Sequence, residues 1–113
     1  MRLTEVFMPK IAFIGAGSLV FSQRLIIDIL SFPALRETTF ALVDIDEKRL
    51  DYARRVAERI IHETETPAEV IATTDRREAI ENTDFVIIMI LTGGLDVIRK
   101  DIEIPLKYGV DQC

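Results

Sequence analysis

The sequence has a single cysteine, Cys113, so no disulfide can close within the chain, and a reducing, cytoplasmic setting is expected. It lacks a long hydrophobic run: the longest, 85–91, is seven residues. A membrane-spanning helix needs roughly 20, so no such helix is expected. It also lacks an excess of basic residues, with 14 Lys and Arg against 19 Asp and Glu and a net charge of −5. That balance excludes a general nucleic-acid binder, which neutralises phosphates with a Lys/Arg surface. Internal repeats, low-complexity tracts and an obvious linker are all missing. No complete catalytic constellation is present either. His62 is the one histidine and has no Cys, His or carboxylate at ligand spacing. Asp101 and Glu103, two apart on a predicted helix, cannot face each other as a paired acid and base. Cys113 has no neighbouring histidine and reads as a buried thiol. Arg54-Arg55 and Arg76-Arg77 are short pairs among acids and read as solvated faces.

What is there is a chain of 113 residues, 49% hydrophobic and 29% charged, long enough for one domain (1–113) with an apolar core. Arg2 and Lys10 ahead of Ile11-Ala12-Phe13-Ile14 imitate the start of a signal peptide. The apolar stretch breaks at once at Gly15-Ala16-Gly17-Ser18, with no cleavage site after it, so that reading is set aside. Short runs rich in Ile, Val and Phe at 10–14, 40–43, 70–72 and 85–91 read as strands covered on both faces. Helical spacing predicts helices over 18–30, from 46 to just before Pro67, over 76–81 and over 96–108. Gly109 suits the residue that closes the last of these, and Pro105 suits a kink or division within it. Alternating strand and helix implies an α/β fold of the Rossmann type, a doubly wound parallel sheet in the order 3-2-1-4. In that order the fourth and most apolar strand carries a bare edge. The chain also stops at Tyr108-Gly109-Val110-Asp111-Gln112-Cys113, in what reads as the middle of a longer segment. The expectation is an incomplete sheet whose fold continues past residue 113.

Four strand ends carry the candidate chemistry. Gly15-Ala16-Gly17-Ser18-Leu19-Val20 follows the first strand and opens the first helix, as a dinucleotide-binding turn does. Gly15 permits the tight turn, and Gly17 lets the backbone approach a pyrophosphate held at the helix N-terminus. Val20 replaces the third glycine of that pattern, which is expected to loosen the packing of helix on strand slightly. Asp44 ends the second strand, where a carboxylate accepts both ribose hydroxyls of an adenosine and repels a 2′-phosphate, favouring NAD over NADP. It lies 27 residues after Gly17, the excess over ~20 fitting the connection Phe32-Pro33-Ala34-Leu35-Arg36-Glu37. Asp46 suits the N-cap of the next helix, with Arg49 in its first turn. Thr73-Thr74 after the third strand would border the adenine, and Thr92-Gly93-Gly94 after the fourth would border the second phosphate and ribose.

The stretch from Lys10 to Ser18, Phe21, the run Leu42-Val43-Asp44-Ile45-Asp46-Glu47-Lys48-Arg49-Leu50, Gly93-Gly94, and the segment from Asp101 to Gly109 with Gln112 together resemble glycoside hydrolase family 4. The resemblance spans nearly the whole chain. It implies the N-terminal part of an NAD- and Mn2+-dependent glycosidase, an exception to two-carboxylate hydrolysis. In that chemistry NAD+ oxidises the sugar's C3 hydroxyl, a base removes the acidified C2 proton while the metal stabilises the enediolate, the C1 substituent is eliminated, and water adds before the ketone is reduced again and NAD+ is recovered. The metal ligands and catalytic tyrosine of the family match no residue of this chain, so the chain alone is expected to be inactive. Carried over are cofactor contacts only: Gly15, Gly17, Ser18, Leu19 and Asp44, and less directly Thr74, Thr92 and Gly93. A small sugar substrate and a homo-oligomer are implied with them. Gly-Ala-Gly-Ser with Phe21 three residues on is closer to members acting on unphosphorylated α-galactosides, α-glucosides or uronides. Two other readings stand beside this one: the cofactor domain of a lactate/malate-type 2-hydroxy-acid dehydrogenase, and a non-catalytic nucleotide-binding module.

Overall fold

The computed structural model describes residues 7–112; Cys113 and residues 1–6, with the thiol and signal-peptide readings that touch them, lie outside the described residues. The element order is β1 (Lys10–Ile14), α1 (Leu19–Leu30), a 3-10 turn (Pro33–Leu35), β2 (Thr39–Val43), α2 (Glu47–Thr64), β3 (Glu69–Thr73), α3 (Arg76–Ile80), β4 (Phe85–Ile88) and α4 (Gly94–Leu106). The strands form one parallel sheet in the order β3-β2-β1-β4. This is the doubly wound α/β arrangement of the Rossmann type, and it follows from the alternation of short apolar runs with longer amphipathic ones.

Alternation along the two central strands sorts the core into two layers. Ile11, Phe13, Phe40 and Leu42 point to the face covered by α1 and α2, where they meet Ile26, Leu30, Leu50, Ala53, Ala57 and Ile60. Ala12, Ala41 and Val43 point to the other face, where the short α3 supplies Ala79. Small residues on that face let α3 lie close to the sheet. The expectation that every strand is covered on both faces holds for β1 and β2 and fails for β3 and β4. Those two are the sheet edges, and β4 leaves Phe85, Val86 and Ile88 largely exposed.

Helix ends follow local chemistry. Asp46 caps α2 by accepting from the N–H groups of Lys48 and Arg49, at 3.0 and 3.1 Å. Asp75 does the same for α3 through Arg77 N–H at 2.9 Å. After α4, Val110 N–H donates to Pro105 O and Gly109 N–H to Leu106 O, with Gly109 at φ +77°. That is a Schellman closure at the predicted glycine. Pro105 sits inside α4 without dividing it. Strand β4 is shorter than the apolar run that encodes it, because β1 ends at Ile14 and Met89 N–H takes the last available carbonyl, Ile14 O at 2.8 Å. No helix among the described residues is long and apolar enough to cross a membrane.

Candidate functional site: a crevice at the carboxyl ends of the strands

The crevice is organised by the turn after β1. Gly15 and Ala16 N–H groups both donate to Val43 O, at 2.9 and 2.8 Å, which ties the turn to the end of β2. Gly15 has φ +87°, and a Cβ there would lie 2.5 Å from Met89 O, so the position requires glycine on both counts. A Cβ at Gly17 would run into the Asp44 carboxylate and stand 2.7 Å from Arg49 Cβ. Ser22, buried on α1, donates its hydroxyl to Ala16 O at 2.7 Å and holds the turn from below.

Asp44 closes the turn from β2. Its Oδ2 accepts from Gly17 N–H at 2.8 Å and its Oδ1 from Asp46 N–H at 2.9 Å. An ionised carboxylate has about four acceptor positions. Two remain for hydroxyl donors from a ligand.

Around these groups lies a cavity of about 900 Å³, lined by residues from all four strand ends. Of the candidate residues, Gly15, Ser18, Asp44, Thr74 and Thr92 line it. Ser18 precedes α1 without bonding the helix start through its hydroxyl. Gly17 is buried immediately behind the wall and reaches the site through its bond to Asp44. Leu19 and Gly93 do not line the cavity: Leu19 packs on the core beneath α1, and Gly93 forms the exposed start of α4. Thr73 belongs to β3 and turns its hydroxyl to Glu78 Oε2 at 3.1 Å.

One expectation is corrected here and another is extended. Val20, at the place of a third glycine, is 62% exposed, so it does not set the packing of helix on strand; buried Ala16 and Ser22 sit at that contact. Arg76 and Arg77 are exposed, as expected of a solvated face, and they also line the cavity with Arg49. The signal for them was their position directly after Thr74-Asp75 at a strand's carboxyl end, where the ligand crevice of such a sheet lies. By contrast, Arg54 and Arg55 do form a solvated face, paired with Asp51 and Glu58 along α2. Those pairs hold the Asp51 carboxyl below its ordinary range, chiefly through its hydrogen bond from Arg54. His62 sits in the last turn of α2, and no three His, Cys, Asp or Glu come together among the described residues to hold a metal.

Residues 10–113 match the family 4 glycosyl hydrolases. An alpha-galactosidase of Rhizobium meliloti is 50% identical over 92% of this chain and 21% of its own length. An alpha-galactosidase of Bacillus subtilis is 39% identical over 93% of this chain and 24% of its own length. The crystal structure of a 6-phospho-alpha-glucosidase from gut microorganisms, in complex with NAD and glucose-6-phosphate, superposes with a TM-score of 0.67. It is 29% identical over 94% of this chain and 24% of that one. The chain thus spans about a fifth to a quarter of the length of these relatives. The match covers the turn, Asp44 and the segment after β4 together, which separates this sequence from a dehydrogenase sharing only the first two. The chain belongs to family 4 of the glycosyl hydrolases.

Proposed function

We propose that this chain is the dinucleotide-binding domain, residues 1–113, of an NAD- and Mn2+-dependent glycosidase. The observation that carries the reading is the bond from Gly17 N–H to Asp44 Oδ2 at 2.8 Å, which joins a phosphate-binding turn to a ribose-binding acid across 27 residues. The crevice beside it lies at the carboxyl ends of β1 and β4, where strand order reverses and ligands of such sheets bind. Gly15 and Gly17 let the turn pack against Met89, Asp44 and Arg49 where a Cβ would clash, and the start of α1 offers N–H groups to a pyrophosphate. Asp44 would take the ribose hydroxyls, with Ser18, Thr74 and Thr92 along the wall. Bound NAD+ supplies a hydride acceptor for a sugar hydroxyl. The residues described here bind and orient it; they do not form a metal site, so no step of the sugar chemistry is assigned to them. The greater identity to alpha-galactosidases supports an unphosphorylated α-glycoside as the substrate of the whole enzyme.

Calorimetric titration of the 113-residue chain with NAD+ tests this reading. Weak binding heat is expected, and Gly15→Ala is expected to remove it, because the added methyl meets Met89 O. No heat for the parent chain at about 1 mM cofactor, an affinity near −4 kcal/mol, would overturn the reading. The chain alone is expected to release no p-nitrophenol from α-glycosides with Mn2+ added; measurable release would overturn that part.

A further inference from the structure

The charges on the crevice wall are unevenly spent. Three acids (Asp44, Asp46, Asp75) and three arginines (Arg49, Arg76, Arg77) line it. Each acid is committed to backbone donors: Asp44 to Gly17 and Asp46, Asp46 to Lys48 and Arg49, Asp75 to Arg77. The last two sit at helix starts, where N–H dipoles offset their charge. The arginines have no such commitments. Among the described residues Arg76 and Arg77 enter no salt bridge. Arg49 reaches only Asp46, at 4.0 Å, with a side chain 69% exposed. Its Cβ lies against Gly17, so its stem flanks the turn that Asp44 closes, while Arg76 and Arg77 approach from the β3 side.

Resting on the reading that adenosine sits at Asp44, we propose that Asp44, the acid at the ribose position, excludes a 2′-phosphate and that Arg49, Arg76 and Arg77 would bind one. A phosphate dianion beside the Asp44 carboxylate is repelled at close range. With that carboxylate neutral, the same phosphate meets three guanidinium groups, whose forked N–H donors match its oxygens. The arginines thus add more to a dinucleotide carrying a 2′-phosphate than to NAD+, whose negative charge is confined to the pyrophosphate at the glycine turn.

The test is the ratio of NADP+ to NAD+ affinity, measured by calorimetry in low salt, with adenosine 2′,5′-bisphosphate and AMP as smaller probes. The parent chain is expected to favour NAD+. Asp44→Asn is expected to shift the ratio about tenfold or more towards NADP+, and adding Arg76→Ala and Arg77→Ala is expected to take most of that shift back. The Arg76→Ala/Arg77→Ala chain with Asp44 intact supplies a second measurement, since these exposed side chains hold up no core: its ratio should move further towards NAD+. Unchanged ratios in both variants, with NAD+ still bound by the parent chain, would overturn this proposal alone. Failure of the parent chain to bind either dinucleotide would overturn the cofactor reading and this proposal with it.

Discussion

Phe13 and Phe40 meet edge to face at 5.7 Å beneath α1 and α2, whereas Phe85, on the strand beside β1, stands half in solvent. The two regions draw on the same kinds of residue and differ in what covers them. Central strands β1 and β2 have helices on both faces and a strand on each side. Edge strand β4 has β1 on one side, and α4 after it buries none of its residues. Leu95 on that helix is 82% exposed. Hydropathy therefore sets which segments can form a core, and coverage sets which ones do. The crevice lies along the seam between these regions, with the ends of β1 and β2 on one side and Ile90, Leu91 and Thr92 on the other.

The sharpest way to break this comparison is a matched pair of truncations. Phe13→Ala removes a ring with no exposed surface and should cost about 3–5 kcal/mol of unfolding free energy in urea titration. Phe85→Ala, one strand away, should cost about 0.5 kcal/mol, as surface substitutions do. Equal costs would mean that β4 is as well packed as β1, contrary to the exposures described. A middle-sized effect distinguishes the helices. Asp46→Ala strips α2 of its side-chain cap and should lower stability by about 1 kcal/mol in the same assay. The start of α4 has no side-chain cap to lose.

The smallest effect is on the acid limb. The Asp51 carboxyl, held low first by its hydrogen bond from Arg54 and then by the charge of Arg55, stabilises the folded state above its ordinary value of 3.8. That contribution is lost as pH falls through its lowered folded value. Asp51→Asn should therefore melt slightly earlier than the parent chain at neutral pH, and the two melting temperatures should converge as pH falls through the lowered folded value. A constant gap across that range would show that the Arg54 and Arg55 pairs contribute nothing that titrates.

Much of the fold was legible in the residues themselves. The run 10–14 is the whole of β1, Asp46 and Asp75 cap the helices they precede, and Gly109 closes the turn after α4. These are local matters of period, cap and turn. The candidate site was legible where it depended on backbone, at Gly15, Gly17 and Asp44. It was less so where a side chain's direction mattered. Leu19 follows the turn in sequence yet packs on the core, and Gly93 follows β4 yet opens a helix away from the cavity. Arg76 and Arg77 looked like ordinary solvated charge because their neighbours in sequence are acids. In space Asp75 accepts from the backbone N–H of Arg77 and Glu78 from the hydroxyl of Thr73, and the arginines line the crevice.

By itself the sequence determined the order of strands and helices, the glycine turn, the acid at the end of β2 and the membership of a family. Each rests on patterns within a few residues, or on motifs whose spacing is read directly. Only the tertiary structure decided that the carboxylate of Asp44 holds Gly17, that three arginines share its pocket, and that β4 is exposed where β1 is buried. Those outcomes depend on which strands become neighbours, and parallel pairing brings together residues too far apart in the chain for any local pattern to report.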